Sequence, residues 1–297
     1  MDITINDKQY SIKVKAEEIT LGDYLDCLDI LSTPEYPILL NSKGNEYKSK
    51  DALPIEDRTE EFIMELYRRM IKRLSNIPMK YTKEETIIEF IIDKLNIAFA
   101  AIKELRDSLE SNDDTIDEVF NYNDKQLKCE HVSKWVFNKW VTTEIWLSNG
   151  EQGDITNDKG EKEHGVITKG DRFILPILFG DYEDVYSTFD YFNKELSVMD
   201  TLPIYIKGSK MIQKVREMHP MIYDPPIGGG DDGSSPNMSN HSKIFGWADT
   251  MRSLADKQVF GTYLQLEEAP LMKVLQYLNT SVSYDRAESE DTKLRYK

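Results

Sequence analysis

Apolar residues in this chain recur every three to four positions in segment after segment, but every two positions in only one. That imbalance limits the fold most, because a period of 3.6 builds helices with one buried face and a period of two builds half-buried strands. The period-two segment is N-terminal: Ile3 and Ile5 alternate with polar neighbours, Asn6-Asp7-Lys8 supplies turn chemistry, and Tyr10, Ile12 and Val14 resume the alternation. Helical spacing then takes over. Leu21, Tyr24, Leu25 and Leu28 form one face. Ile63, Leu66, Tyr67, Met70, Ile71 and Leu74 form a second, and Ile88, Ile91, Ile92, Leu95, Phe99, Ile102 and Leu105 a third. Thr20 with Asp23, and Thr82 with Glu85, have the spacing of capping boxes, which mark helix starts. The pattern predicts a mainly α protein with a small N-terminal β-hairpin (α+β) and no large parallel sheet.

At 297 residues the chain is long enough for about two domains of ~150 residues. The acidic stretch SLESNDDTIDE closes a first segment, placed at residues 1–126. A middle segment, 127–224, carries Trp135, Val136, Trp140, Val141 and Trp146 at helical spacing, which reads as buried aromatic anchors. Within it, Glu151–Gly170 reads as a charged loop or mobile hairpin. Phe173–Phe179 is an apolar run, either strand or buried helix, and further helices fall at 184–196 and 204–218. Residues 225–242, PPIGGGDDGSSPNMSNHS, have the composition of a flexible linker. The last segment, 243–297, holds a helix near Gly246–Ala255 and another with Pro270 in its first turn, before a charged tail expected to fray.

The charge balance narrows the function. Lys and Arg number 37 against 53 Asp and Glu, a net charge of −16. Neutralising phosphates needs a basic footprint, so no nucleic-acid role is expected, and adsorption to an anionic membrane is equally disfavoured. The longest greasy stretch, Ile87–Ile102, is interrupted by Glu89, Asp93, Lys94 and Asn96, and a membrane span needs about 20 apolar residues. Two cysteines, Cys27 and Cys129, make no disulfide scaffold, and the N-terminus is polar and alternating rather than a secretory signal. From these features a cytoplasmic location is expected.

Motifs for chemistry fail on mechanism. Gly228, Gly230 and Gly233 satisfy G-x-G-x-x-G, but Asp224-Pro225-Pro226 precedes them where a strand is needed, and Asp231 and Asp232 would repel a pyrophosphate. Asp154, Thr156 and Asp158 alternate like a calcium loop, yet Lys159 stands where its glycine belongs and Gly160 comes one place late. Cys129-Glu130-His131 has no second ligand pair at zinc spacing. His164, His219 and His241 stand alone, and Asp181, Glu183 and Asp184 are ordinary in so acidic a chain. No catalytic residue, cofactor or metal site is assigned, and a non-enzymatic role is expected. An enzyme of unrecognised class stays as an alternative.

The order of elements resembles the phage tail-assembly chaperone type of protein. The residues that carry it are the entry Ile19, Thr20, Leu21, Gly22 and Tyr24, and then Leu74, Ser75, Ile77 and Pro78 closing a helix. The segment FGWADTMRSLADKQVFGTYLQLEEAPLMKVLQYLNTSVSYDRAE is similar to the end of the same group. Ile167-Thr168-Lys169-Gly170 could be a diverged second copy of the entry motif. The chain departs from the group in its length, its insertion-like middle and its Gly/Ser/Pro segment. The resemblance implies no catalytic residues. It implies a phage tail or baseplate assembly protein that binds helical tail proteins, the tape measure or a baseplate hub, in the host cytoplasm. The alternative it leaves open is a structural subunit retained in the virion. Oligomerisation is compatible with either.

One stripe is singled out for binding: Leu271, Val274, Leu275 and Leu278, flanked by Met272 and Tyr277. Two readings stay open. The stripe packs on the helix containing Trp247, Met251 and Leu254, or part of it docks a helix of a tail protein in the helix-in-groove manner.

Overall fold

The computed structural model describes residues 1–5, 7–40, 46–49, 51–78, 80–83, 85–109, 116–156, 162–223 and 240–295. The chain is 63% helical, and its strands form only two-stranded antiparallel sheets among the described residues, with the N-terminal hairpin present. Among the described residues there is no large parallel sheet. The chain divides into two compact units: Met1–Glu110 with Tyr191–Pro203, and Ser111–Asp190 with Ile204–Lys297. That differs from the sequence segmentation. Residues 111–126 belong to the second unit, the middle and last segments share that unit, and 191–203 returns to the first.

In the first unit, β1 (Asp2–Ile5) pairs with β2 (Lys8–Ser11) in the register Ile5↔Lys8 to Asp2↔Ser11, across Asp7 at φ +61°. A 3₁₀ turn, Ala16–Glu18, leads to α1 (Leu21–Leu31). The capping box expected there is formed: the Asp23 N–H donates to Thr20 Oγ1, and the Thr20 N–H to the Asp23 carboxylate. A second hairpin, β3 (Ile38–Leu40) with β4 (Glu46–Lys48), lies partly within the polar stretch 41–57, whose composition suggests an open connection. Helix α2 (Glu60–Leu74), capped by Thr59, buries Leu66, Met70, Ile71 and Leu74, and α3 (Glu85–Ser108) buries Ile88, Ile91, Leu95, Ala98 and Ile102. Both are single stripes at helical spacing, so the core follows directly from the period. The box expected at Thr82 and Glu85 involves a side chain outside those described.

Where α2 ends, the chain joins the first hairpin. The Lys13 N–H donates to Leu74 O (3.0 Å), the Asn76 N–H to Ser11 O (3.3 Å) and the Ser11 N–H to Asn76 Oδ1 (2.9 Å). The end of α2 and the two residues after it thus lie beside the end of the hairpin, with Ser75 bridging Ile12. Residues 191–203 close the unit from the far side: the Val198 N–H donates to Ile19 O (2.7 Å), and Thr20 bridges Ser197. Gly22 permits this approach, since a Cβ there would meet Asn193 O at 2.6 Å.

The second unit opens on the same series. β5 (Val119–Tyr122) pairs with β6 (Lys125–Lys128) in the register Tyr122↔Lys125 to Val119↔Lys128, across Asn123 and Asp124 at positive φ. A 3₁₀ turn, Val132–Lys134, leads to α4 (Phe137–Asn149). The Trp135 N–H donates to Val132 O as the Ile19 N–H does to Ala16 O. The Leu271 N–H then donates to Trp135 O (2.9 Å) and Val136 bridges Pro270, as Val198 and Ser197 do in the first unit. The structural counterpart of Ile19–Leu21 in the second unit is therefore Trp135–Phe137. Ile167-Thr168-Lys169-Gly170, by contrast, ends a strand and opens a 3₁₀ turn.

Around this frame stand the hairpin β7 (Glu151–Thr156) and β8 (Lys162–Thr168), α5 (Ile174–Phe179), α6 (Tyr186–Asp190) and α7 (Val198–Met218). α8 (Pro220–Tyr223), α9 (Asn240–Asp256), α10 (Tyr263–Glu267) and α11 (Leu271–Arg295) complete it. The apolar run at 173–179 is helix, entirely buried, with Pro176 in the first turn where no N–H partner is lost. Trp135, Phe137 and Trp140 are fully buried, and Trp146 stacks on Phe173 at 4.4 Å. The tail expected to fray continues α11 to Arg295. The segment read as a linker lies outside the described residues, except for Asn240–Ser242, which open α9.

Candidate functional site

Among the described residues no three His, Cys, Asp or Glu side chains could hold a metal. Burial pushes the Cys27 thiol up to about 12 and the Cys129 thiol up to about 11, so neither is a thiolate at neutral pH. His131 Nδ1 accepts the Ser133 N–H and caps the 3₁₀ turn rather than joining Cys129 in a ligand pair. His164 faces Asp154 across the hairpin at 4.0 Å on an exposed surface, and His219 is buried after α7, its imidazole pushed down by that burial. The Glu183 N–H donates to Asp181 Oδ1, making a local turn. Gly228–Gly233, Asp158 and the His241 side chain lie outside the described residues.

The stripe on α11 divides. Leu271, Val274 and Leu275 are fully buried, committed to the interior with Met251 and Leu254. Leu278 is only half-buried. It lines an open groove of about 340 Å³ between α9 and α11, with Leu254, Tyr277 and Val282 as apolar walls and Asp249 and Lys257 among the polar ones. Both walls are helical, so the shape of the groove is set by rigid elements.

The two matching helix starts hold opposite charges. In α1, Asp23 is 4% exposed and pairs with Lys13 Nζ (2.5 Å) and Arg73 Nη2 (3.1 Å). In α4 the same place, two residues into the helix, belongs to Lys139, 8% exposed. Its ammonium lies 4.7 Å from the Trp135 ring and 5.9 Å from the Tyr182 ring, and it makes no ion pair among the described residues. Burial pushes the Lys139 ammonium down, with Glu130, Cys129 and Asp181 opposing. The positions of Lys13 and Asp23, which pair in the first unit, are held in the second by Glu130 and Lys139, of exchanged sign and without an ion pair among the described residues.

Sequence reasoning missed Lys139 and its surroundings. The signal was present: Asn6-Asp7-Lys8-Gln9 recurs as Asn123-Asp124-Lys125-Gln126 at the two hairpin turns. Aligning on it, with one residue fewer before the second 3₁₀ turn, places Asp23 and Lys139 in register. No family model, curated protein or solved structure matches this chain.

Proposed function

We propose that this chain is a non-enzymatic assembly protein of a phage tail or baseplate, acting by binding a helical segment of another tail protein such as the tape measure. The observation that carries the reading is the groove at Leu278: it is open, lies between two helices, and has apolar Leu254, Tyr277, Leu278 and Val282 beside polar side chains. The entry motif Ile19–Tyr24, realised as a capped helix, supports the resemblance that names the partner class. The acidic surface, at net charge −16, keeps such a binder soluble and discourages wrong associations.

The test is a pull-down from infected cells with the unaltered chain and with Leu278→Asp. The variant is expected to keep its melting temperature and lose the tail partner. A stable variant that still captures the tape measure or hub overturns the reading. Assay of purified particles separates a transient chaperone, absent from them, from a subunit retained in the virion.

A further inference from the structure

We propose that the α7–α8 junction is an acid-sensitive latch: protonation of His219 releases α8 from its place against α4, α9 and α11 while the rest of the second unit stays folded. The latch is separate from the groove at Leu278 and independent of any role in tail assembly.

His219 is the single residue between α7 and α8. Its N–H donates to Arg216 O (3.1 Å) and its carbonyl accepts from the Ile222 N–H (3.0 Å), so the backbone turns there with both groups used. The side chain is not provided for in the same way. It is 7% exposed, and Nε2 is buried without a hydrogen-bond partner among the described residues. An imidazole nitrogen in that position is unfavourable when neutral and more so once the ring is charged. A solvated ring suffers neither penalty, so each proton bound favours the arrangement in which His219 faces water.

What moves is decided by what His219 anchors. Helix α8 is one turn long, too short to keep its shape alone, and it packs along α11. Its last residue, Tyr223, accepts a hydrogen bond from Trp140 Nε1 of α4 (2.9 Å) and sets its ring 6.2 Å from that of Trp247 on α9. A shift of α8 therefore breaks the Trp140 bond.

No described charge is placed to hold an imidazolium in the folded position. On α7, Arg216 is engaged by the Glu144 carboxylate of α4 through two hydrogen bonds (3.0 and 2.9 Å), and Glu217 accepts from Gln213 (3.2 Å). On α8, burial pushes the Tyr223 hydroxyl far up, so it stays neutral. Asp249, Arg252 and Asp256 of α9 and Lys273 of α11 are exposed, and none of them acts on the ring, which burial alone pushes down from 6.5. The latch is thus fully closed above pH 6.5 and loosens as pH falls from there through the lower folded value. The C-terminal carbonyls of α7 favour a cation, which keeps protonation within reach of mildly acidic solution.

The experiment follows the tryptophan indole N–H signals of the full chain by NMR between about pH 7.5 and about pH 5, with exchange expressed as protection relative to free indole. The Trp140 indole is expected to lose at least about fivefold of its protection, with the midpoint of the His219 ring signals, while the Val141 and Ile212 amides keep theirs. Two substitutions that do not titrate are compared, His219→Phe for the apolar surroundings and His219→Gln for a smaller side chain. Either is expected to hold the Trp140 protection constant within about twofold. Constant Trp140 protection in the unaltered chain would overturn the proposal. So would a loss that persists in a folded His219 variant, or a loss at Val141 and Ile212 together with Trp140, which is unfolding of the whole unit.

Discussion

Helices α1 and α4 begin in the same way and are stabilised by different means. Each comes after a hairpin and a 3₁₀ turn, and each has its entry strand bridged by a segment from much later in the chain. At α1 the start is made with polar chemistry: a Thr20–Asp23 box and two cations on the buried carboxylate. At α4 no side chain caps the helix. Val136 stands in place of Thr20, and Trp135 and Phe137 bury large aromatic surfaces around Lys139 instead. The contrast shows that this frame is held by backbone geometry and burial, while the charges at its helix start are free to invert. A side-chain cap is one solution, and an aromatic wrap is another.

Four measurements test that contrast, from the largest effect down. Leu202 and Leu275 each lie four residues past the N–H donors to Ile19 and Trp135, and both are buried. Leu202→Asp and Leu275→Asp are each expected to cost about 4 kcal/mol or more, because an unpaired charge enters the core. Urea unfolding followed by amide exchange should lose the first unit for one and the second unit for the other. Loss of both units together from either change would refute independent frames.

Next, Asp23→Ala is expected to cost about 2–3 kcal/mol, since it removes both half of the capping box and the carboxylate between Lys13 and Arg73. Lys139→Met, at the matching place, should leave stability unchanged or raise it by about 1–2 kcal/mol, because a buried cation without an ion pair is exchanged for an apolar chain. Midpoints that fall for both variants would remove the contrast.

A smaller effect depends on pH. Burial lowers the folded ammonium of Lys139 below its ordinary 10.5, so between those values the unfolded chain binds more protons. Stability of the unaltered chain relative to Lys139→Met therefore climbs as pH rises through that window and is flat below it. A relative stability that falls over the same range contradicts the burial account. Smallest is the difference between the two thiols. Cys129, half-buried at about 11, should be alkylated before Cys27, fully buried at about 12, with about tenfold more thiolate at a given pH. Labelling of Cys27 first would mean that the first unit opens more readily than the second.

The sequence made visible whatever is local. The first hairpin, the box at Thr20 and Asp23, and the stripes of α2 and α3 depend on spacing within one element, and spacing is printed in the residues. The second frame escaped because three of its signals changed together. Trp135 stands where the first unit has Ile19, Val136 where it has Thr20 and Lys139 where it has Asp23, which leaves only the turn string Asn-Asp-Lys-Gln to mark the likeness. Ile167–Gly170 misleads in the opposite way, because its letters agree with the entry motif and its geometry does not. The division at 126 cut through β6 for a related reason: acidic composition marks exposure, whereas β5 and β6 pair with each other and stay in one unit. The stripe on α11 was legible as amphipathic. Which of its residues stay open depends on how α9 covers it, and that is a property of two helices together. The return of 191–203 was illegible, since a bridge between Thr20 and Ser197 leaves no local pattern.

That same bridge sets a schedule for synthesis. Ile19 and Thr20 emerge from the ribosome early, yet their backbone partners are Val198 and Ser197, so the first unit waits for a stretch of chain that begins after most of the second hairpin frame has been made. At synthesis rates of ~5–20 residues per second, the gap between residues 110 and 203 lasts about 5–20 s. During that interval the face of α1 around Gly22, later covered by Asn193, is open to the cell. The second frame waits in turn for Pro270 and Leu271. Two interleaved units that are each completed from downstream make the nascent chain itself a client for folding helpers, and a truncation anywhere before residue 203 leaves both frames unfinished.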